Sequence, residues 1–294
     1  MAVIAVFGKN LTVKTLDRII MAHIIEIHDL SYPGMTLFCR QSEAQLRQTK
    51  HPGEGVFLAE SPNVARIALE AGCRPVAMLA ERKKLDGMVG ALVQQMGDIP
   101  VYVGDADVLA GITGFHLVRG VICAFRRPRL LSVEEVCRGS HRLAVIDSVV
   151  DATNIGTIFR GAAALGMDGV LLTPTTCDPL NRRSVRVSMG TVFQIPWAVL
   201  GNSPADWPQQ GVAQLHEMGF RLAALALSDT AISLDDARLQ QEDRLAVVLG
   251  TEGDGLSHSA ISACDYVVKI PMQHGVDSLN VAAAAAVAFW QLRK

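Results

Sequence analysis

From residue 143 to the C-terminus, short unbroken apolar runs alternate with helical patterns, and this leaves few folds open. Residues 145–149, 169–172, 221–227, 244–249 and 266–270 read as strands. Residues 155–165, 207–218 and 281–292 read as helices, and 260–263 as one helical turn. A strand with one face in water alternates apolar and polar side chains. These strands do not, so they predict an α/β fold with a mostly parallel sheet covered by helices on both faces. The alanine run at 282–286 suits a helix packed closely on its neighbours.

A second, weaker alternation precedes it. Residues 55–60, 75–80, 101–103 and 118–125 read as strands, with helices at 64–71, 85–96 and 105–110 between them. Ser61 or Asn63 caps the first of these helices, and Gly72 stops it. This is a small α/β module. Charge, Gly and Pro concentrate at 126–142, as at a domain boundary. The expected division is therefore an N-terminal extension at 1–24, a first domain at 25–130, a linker at 131–142 and a second domain at 143–294. The extension does not match the module.

With 50% hydrophobic and 19% charged residues, the 294-residue chain is not intrinsically disordered. Its formal charge is -2, but residues 1–140 carry 16 Lys and Arg against 14 Asp and Glu, so the first part leans basic. A local basic face on a near-neutral chain is compatible with nucleic-acid binding. The six cysteines form no CxxC pair and no run with His at zinc-ligand spacing, which predicts reduced thiols and no metal. No secretory signal is apparent, and the apolar C-terminal run is too short to span a bilayer. A cytoplasmic protein is expected.

Three segments carry chemistry, each after a strand. In the first, 151–166, Asn154 stands at the mouth of a helix, where its side chain can cap backbone N–H groups. Ile155, Ile158, Phe159 and Ala162 make an apolar face that excludes Arg160. Arg160 is then either a solvated helix arginine or a group at the carboxyl edge of the sheet, where α/β ligand sites form. In the second, Gly250, Gly253 and Gly255 follow a strand, which suits a tight bend or a close approach of backbone to a flat ligand. The spacing is neither the dinucleotide fingerprint nor a P-loop. Glu252 either caps a helix or accepts from a ligand. In the third, Pro271 ends a strand, His274 reads as a loop residue, Ser278 caps the last helix and Asn280 lies in its first turn.

These segments resemble the three motifs of the SpoU/TrmH-type RNA 2'-O-methyltransferases, within the knotted SPOUT class. The resemblance covers 143–294. It rests on Asn154-Ile155-Gly156 with Arg160 and Gly166, on Gly250-Thr251-Glu252-Gly253 with Gly255-Leu256, and on Ile270-Pro271-Met272 with Ser278-Leu279-Asn280-Val281. Ser188-Met189-Gly190-Thr191 is similar to a further family stretch. Residues 50–128 resemble the family's ribosomal-protein-like RNA-binding extension, which makes 25–130 the expected substrate domain.

The resemblance implies a trefoil knot in 143–294, a homodimer through that domain, and transfer of a methyl group from S-adenosylmethionine to a ribose 2'-hydroxyl. Arg160, Asn154, Glu252, Ser278 and Asn280 are the implied catalytic residues. Leu227, Leu249, Gly250, Glu252, Gly253, Ile270, Met272, Ser278 and Leu279 would hold the cofactor. Arg119, Arg126, Arg127 and Arg129, with Arg182, Arg183 and Arg186, are the expected RNA contacts. Ribosomal RNA is favoured. The alternatives are a tRNA 2'-O-methyltransferase and a catalytically silent RNA-binding protein on the same fold. A nucleotide-dependent dehydrogenase needs a glycine-rich first βα loop, and residues 147–152 do not provide one.

Overall fold

The computed structural model describes residues 23–29, 31–47, 54–113, 120–251, 253 and 255–294. The chain divides into two compact units, 1–128 and 129–294. Unit 1 is a five-stranded mixed sheet in the order β1-β4-β3-β5-β2. Its strands are β1 (His23–Glu26), β2 (Val56–Glu60), β3 (Pro75–Glu81), β4 (Pro100–Gly104) and β5 (Val121–Arg126). β5 runs antiparallel to β2 and β3, while β1, β4 and β3 are parallel. Its helices are α1 (Thr36–Cys39), α2 (Glu43–Arg47), α3 (Pro62–Glu70), α4 (Met88–Gln95) and α5 (Ala106–Thr113). Ser61 caps α3, its side chain accepting from the Val64 N–H. The N-terminal extension expected over 1–24 overlaps β1, so the sheet begins by residue 23. Residues 1–22 lie outside the described residues.

Unit 2 is a seven-stranded sheet, parallel throughout, in the order β10-β12-β9-β11-β6-β7-β8. The strands are β6 (Arg142–Ile146), β7 (Gly169–Leu172), β8 (Trp197–Val199), β9 (Arg221–Leu225), β10 (Ile232–Ser233), β11 (Leu245–Leu249) and β12 (Tyr266–Lys269). The helices are α6 (Val133–Cys137), α7 (Ala152–Ala164), α8 (Arg182–Val187), α9 (Gln209–Glu217), α10 (Ala237–Gln241), α11 (His258–Ala263) and α12 (Val281–Leu292). Every residue of the central strands β6 and β11 is buried and all but Arg142 are apolar, as expected when both faces are covered. Leu143 and Val145 join Ala246 and Val248 in a core cluster with residues of α6, α9 and α11. The closing helix α12 packs on α7 and β11.

The expected linker at 131–142 is instead built into unit 2. Ser132 and Glu135 form a capping box that starts α6, and Val133, Val136 and Cys137 enter the core. Arg244 fastens the following turn by donating to the carbonyls of Cys137 and Ser140. Arg142, 1% exposed, donates from Nε to the Leu292 carbonyl at 2.7 Å. A buried cation is thus satisfied at the negative end of α12, and the last helix is tied to the first strand. Changing Val133 and Val136 together to Ala should destabilise unit 2 by about 2–5 kcal/mol in urea unfolding. The same changes in a true linker would cost within about 0.5 kcal/mol.

Candidate active site

The first and third segments meet through two amides. Asp151, not Asn154, caps α7: its Oδ1 accepts from the N–H groups of Thr153 at 2.6 Å and Asn154 at 3.0 Å. Those bonds, the Asn154 N–H first, hold the Asp151 carboxyl below its ordinary value. Asn154 is thereby moved into the first turn and buried, 8% exposed, with its side chain left for another partner. That partner is Asn280, whose Nδ2 donates to Asn154 Oδ1 at 3.1 Å. Asn280 also caps α12, its Oδ1 accepting from Ala282 and Ala283 N–H, which takes the role expected of Ser278. The amino ends of two helices, each electropositive, therefore come together at this pair.

Gly156 has a packing use. A Cβ there would stand 2.7 Å from the Ser184 carbonyl and 2.8 Å from Val187 Cβ, so its absence lets α7 lie against α8. The 188–191 stretch closes that contact. Ser188 is fully buried and donates to the Val185 carbonyl at 3.0 Å.

The second segment folds back on itself through a bridge between Thr251 and Gly255. A Cβ at Gly250 would meet the Gly255 and Leu256 backbone at 2.6 Å, which only glycine avoids. Gly253 and Gly255 take positive φ, +94° and +67°. Beside this loop lies a cavity of about 580 Å³, open to solvent. It is lined by Leu227, Leu249, Gly250, Gly253, Ile270, Met272, Ser278, Leu279 and Asn280. The residues expected around the cofactor thus gather in one place, except Glu252, which lies outside the described residues. Thr251, Leu256, His258, Ile261, Lys269 and Asp277 also line the cavity and were not anticipated. Leu227 is 59% and Leu279 40% exposed, so large apolar side chains stand uncovered at this opening.

Arg160 is exposed on α7, is not among the cavity-lining residues, and bonds to no described residue. It is therefore free to meet a ligand that reaches the site from outside. Arg183 donates to the Thr153 hydroxyl at 2.6 Å, which ties α8 beside the Asn154 turn with Arg182 and Arg186 on the same short helix. Arg126 donates to the Glu54 carbonyl at the end of β5. Arg129, expected with Arg126 and Arg127 in the first domain, belongs to unit 2. There it makes a two-pronged pair with Glu135, 2.9 and 2.8 Å, that anchors α6. Arg119 lies outside the described residues. Among the described residues, no group of His, Cys, Asp and Glu is placed to hold a metal ion. No helix of the described residues is long and apolar enough to cross a membrane.

Comparison with known proteins gives a consistent picture. The family model described as the SpoU rRNA methylase family matches residues 141–290. An uncharacterised tRNA/rRNA methyltransferase of Mycobacterium tuberculosis is 39% identical over 244 residues, covering 81% of each chain. The 23S rRNA (guanosine(2553)-2'-O)-methyltransferase of Bacillus subtilis is 29% identical, covering 66% of this chain and 73% of its own. Among solved structures, the AdoMet-bound rRNA methyltransferase of Sinorhizobium meliloti superimposes with a TM-score of 0.75 at 24% identity. It covers 92% of this chain and 97% of its own, which shows a shared fold. With the family model matching residues 141–290, which hold the amide pair and the glycine loop, and a relative 39% identical over 81% of the chain, the chain belongs to the SpoU rRNA methylase family, the SpoU/TrmH group of RNA methyltransferases.

Proposed function

We propose that the chain transfers a methyl group from S-adenosylmethionine to a ribose 2'-hydroxyl of RNA, ribosomal RNA before transfer RNA. The observation that carries this is the convergence of the three segments. One cavity is lined by the glycine loop and the third segment, and Asn280 at its wall is bonded to Asn154 of the first. S-adenosylmethionine suits that cavity. Three glycines present bare backbone to a flat base, Leu227, Leu249, Ile270, Met272 and Leu279 supply apolar contact, and Ser278 and Asn280 supply polar groups. Bound there, the cofactor supplies an electrophilic methyl carbon with a good leaving group.

The chain's own residues then align and activate the hydroxyl. A guanidinium stays protonated in a protein, so Arg160 acts as a clamp on the phosphate beside the reacting ribose and stabilises charge growing on the 2'-oxygen. Asn154, held by Asn280, orients the ribose. Ser278 positions cofactor and substrate, and Glu252 keeps the acceptor role that the motif implies. Arg182, Arg183 and Arg186 guide RNA phosphates to this edge, and Arg126, Arg127 and Arg119 of the substrate domain supply further phosphate contacts. Phosphate contacts fix register, while RNA shape and an unpaired nucleotide select the target.

The unit closes as a trefoil knot over roughly 245–280. Supporting this, β11 inserts between β9 and β6, and α12 returns to pack on α7. The working form is a homodimer through this unit, a reading supported by Val287 and Trp290, 42% and 59% exposed on α12. The compartment is the cytoplasm. Calorimetric titration of the full-length protein with S-adenosylmethionine should give a micromolar Kd, on the order of -8 kcal/mol. A folded protein that gives no binding heat and no thermal stabilisation would remove the cofactor from this cavity.

A further inference from the structure

A second cavity, of about 340 Å³, lies behind the glycine loop at the carboxyl ends of β6, β7 and β8. Thr251 and Gly255, the bridged pair of that loop, line both cavities, so the loop is the wall between them. None of the three motifs places a residue there except this shared wall.

Its polar side is built around Asp147, 7% exposed. Asp147 Oδ1 accepts from the hydroxyls of Ser148 at 2.9 Å and Thr173 at 3.1 Å, while Oδ2 accepts from no described residue. Ser148 holds this arrangement in a conformation that costs energy: its φ is +58°, in the left-handed region that a serine rarely adopts. Its N–H points between the Thr173 and Thr176 hydroxyls, 3.1 Å from each, and its own hydroxyl lies 2.7 Å from that of Thr175. Strain of this kind persists where the surroundings over-determine it, and such sites are often functional. The opposite side is apolar, formed by Trp207 and the prolines 174, 204 and 208. The Trp207 Nε1–H is buried and has no partner among the described residues, an uncommon cost in a folded chain.

Asp147 is the one ionisable residue among the described lining, and no cation faces it. A phosphate is therefore repelled. What matches is a flat group with N–H donors for the carboxylate and a face for the apolar wall. A nucleobase can offer both, and guanine sets an imino and an amino donor side by side. We infer that this cavity receives an unpaired guanine of the RNA, its donor edge on Asp147 and its face along Trp207, beside the methyl-donor cavity. The inference rests on the function proposed above and adds the specificity that the phosphate-binding arginines cannot supply.

The test uses the full-length protein and guanosine 5'-monophosphate as probe, with uridine and adenosine 5'-monophosphates for comparison, by saturation-transfer NMR. The guanine base should receive saturation in preference to the others. Asp147→Asn should weaken that binding by about tenfold or more, since a bond to a charged acceptor is lost. Ser259→Trp, at an exposed lining position, should block it without altering Asp147. S-adenosylmethionine affinity, titrated in parallel, should stay within twofold in both variants. Equal binding of the three nucleotides, or guanine binding unchanged by Ser259→Trp, would overturn the inference. So would an Asp147→Asn variant that loses cofactor affinity instead, because the carboxylate would then serve the cofactor's ammonium group. If the parent protein binds no S-adenosylmethionine, the proposed function fails, and the nucleotide result is read independently of it.

Discussion

Arg160→Ala should retain the fold and near-normal S-adenosylmethionine affinity while single-turnover methyl transfer falls about 100-fold or more. The structure separates these effects. Arg160 stands exposed on α7, outside the cavity lining and without a bond to any described residue, so the core does not depend on it and a cofactor bound in that cavity should not. Removing such a side chain alters stability by within about 0.5 kcal/mol. Removing a group that stabilises charge growing in the transition state lowers kcat, and removing its grip on the ground-state phosphate also raises KM for RNA, so kcat/KM falls further. Arg160→Lys keeps a charge but loses the planar fork that grips a phosphate, so rescue should be poor at every pH. A lysine variant whose rate rose toward a pKa near its ordinary value of about 10.4 would instead mark a base. Parent-like transfer by Arg160→Ala on a verified RNA would end the proposed role.

Gly250→Ala should cost cofactor binding of about 100-fold or more by calorimetry while leaving the protein folded. The added methyl would stand 2.6 Å from the backbone of Gly255 and Leu256, and backbone cannot swing aside as a side chain does. The Thr251–Gly255 bridge must open, and the wall of the cavity moves with it. Overpacking of this kind costs about 1–3 kcal/mol, which a domain of this size survives. Gly253→Ala acts differently. No atom lies within 4 Å of its added Cβ, and the penalty is the backbone strain of a φ of +94°. The larger loss should therefore follow Gly250. Equal affinity in the Gly250 variant and the parent would show that the loop's close approach does not shape the cofactor site.

The parallel sheet is legible in the sequence because its central strands are buried on both faces and apolar except for Arg142 at the start of β6. Residues 281–292 are legible to their full extent, since an alanine-rich run has one strong local preference. The short elements are not. β8 has three residues and β10 two, too few to show a period, and they are held by their neighbours' ladders. The caps lie a few residues from the expected positions at both key helices because Asp151 and Asn154, or Ser278 and Asn280, all have capping side chains. Which one caps depends on where the chain enters the turn. That shift mattered, because it left the Asn154 side chain to meet Asn280. The α6 segment carries a signal for a short helix, Ser132 followed three residues later by Glu135, but nothing local shows that this helix enters the core of the second unit. The second cavity had none. Asp147, Thr175, Trp207 and Ser259 are far apart in the chain and meet only because several strands end at one edge.

The most direct measurement is transfer of tritium from methyl-labelled S-adenosylmethionine to RNA, followed by digestion to nucleosides and identification of the labelled species. Label should appear in a 2'-O-methylnucleoside, at a single position of ribosomal RNA, and its initial rate of appearance should fall about 100-fold or more with Arg160→Ala. Label on a base, or no transfer to any RNA by a protein that binds the cofactor, would contradict methylation of a ribose 2'-hydroxyl at this site.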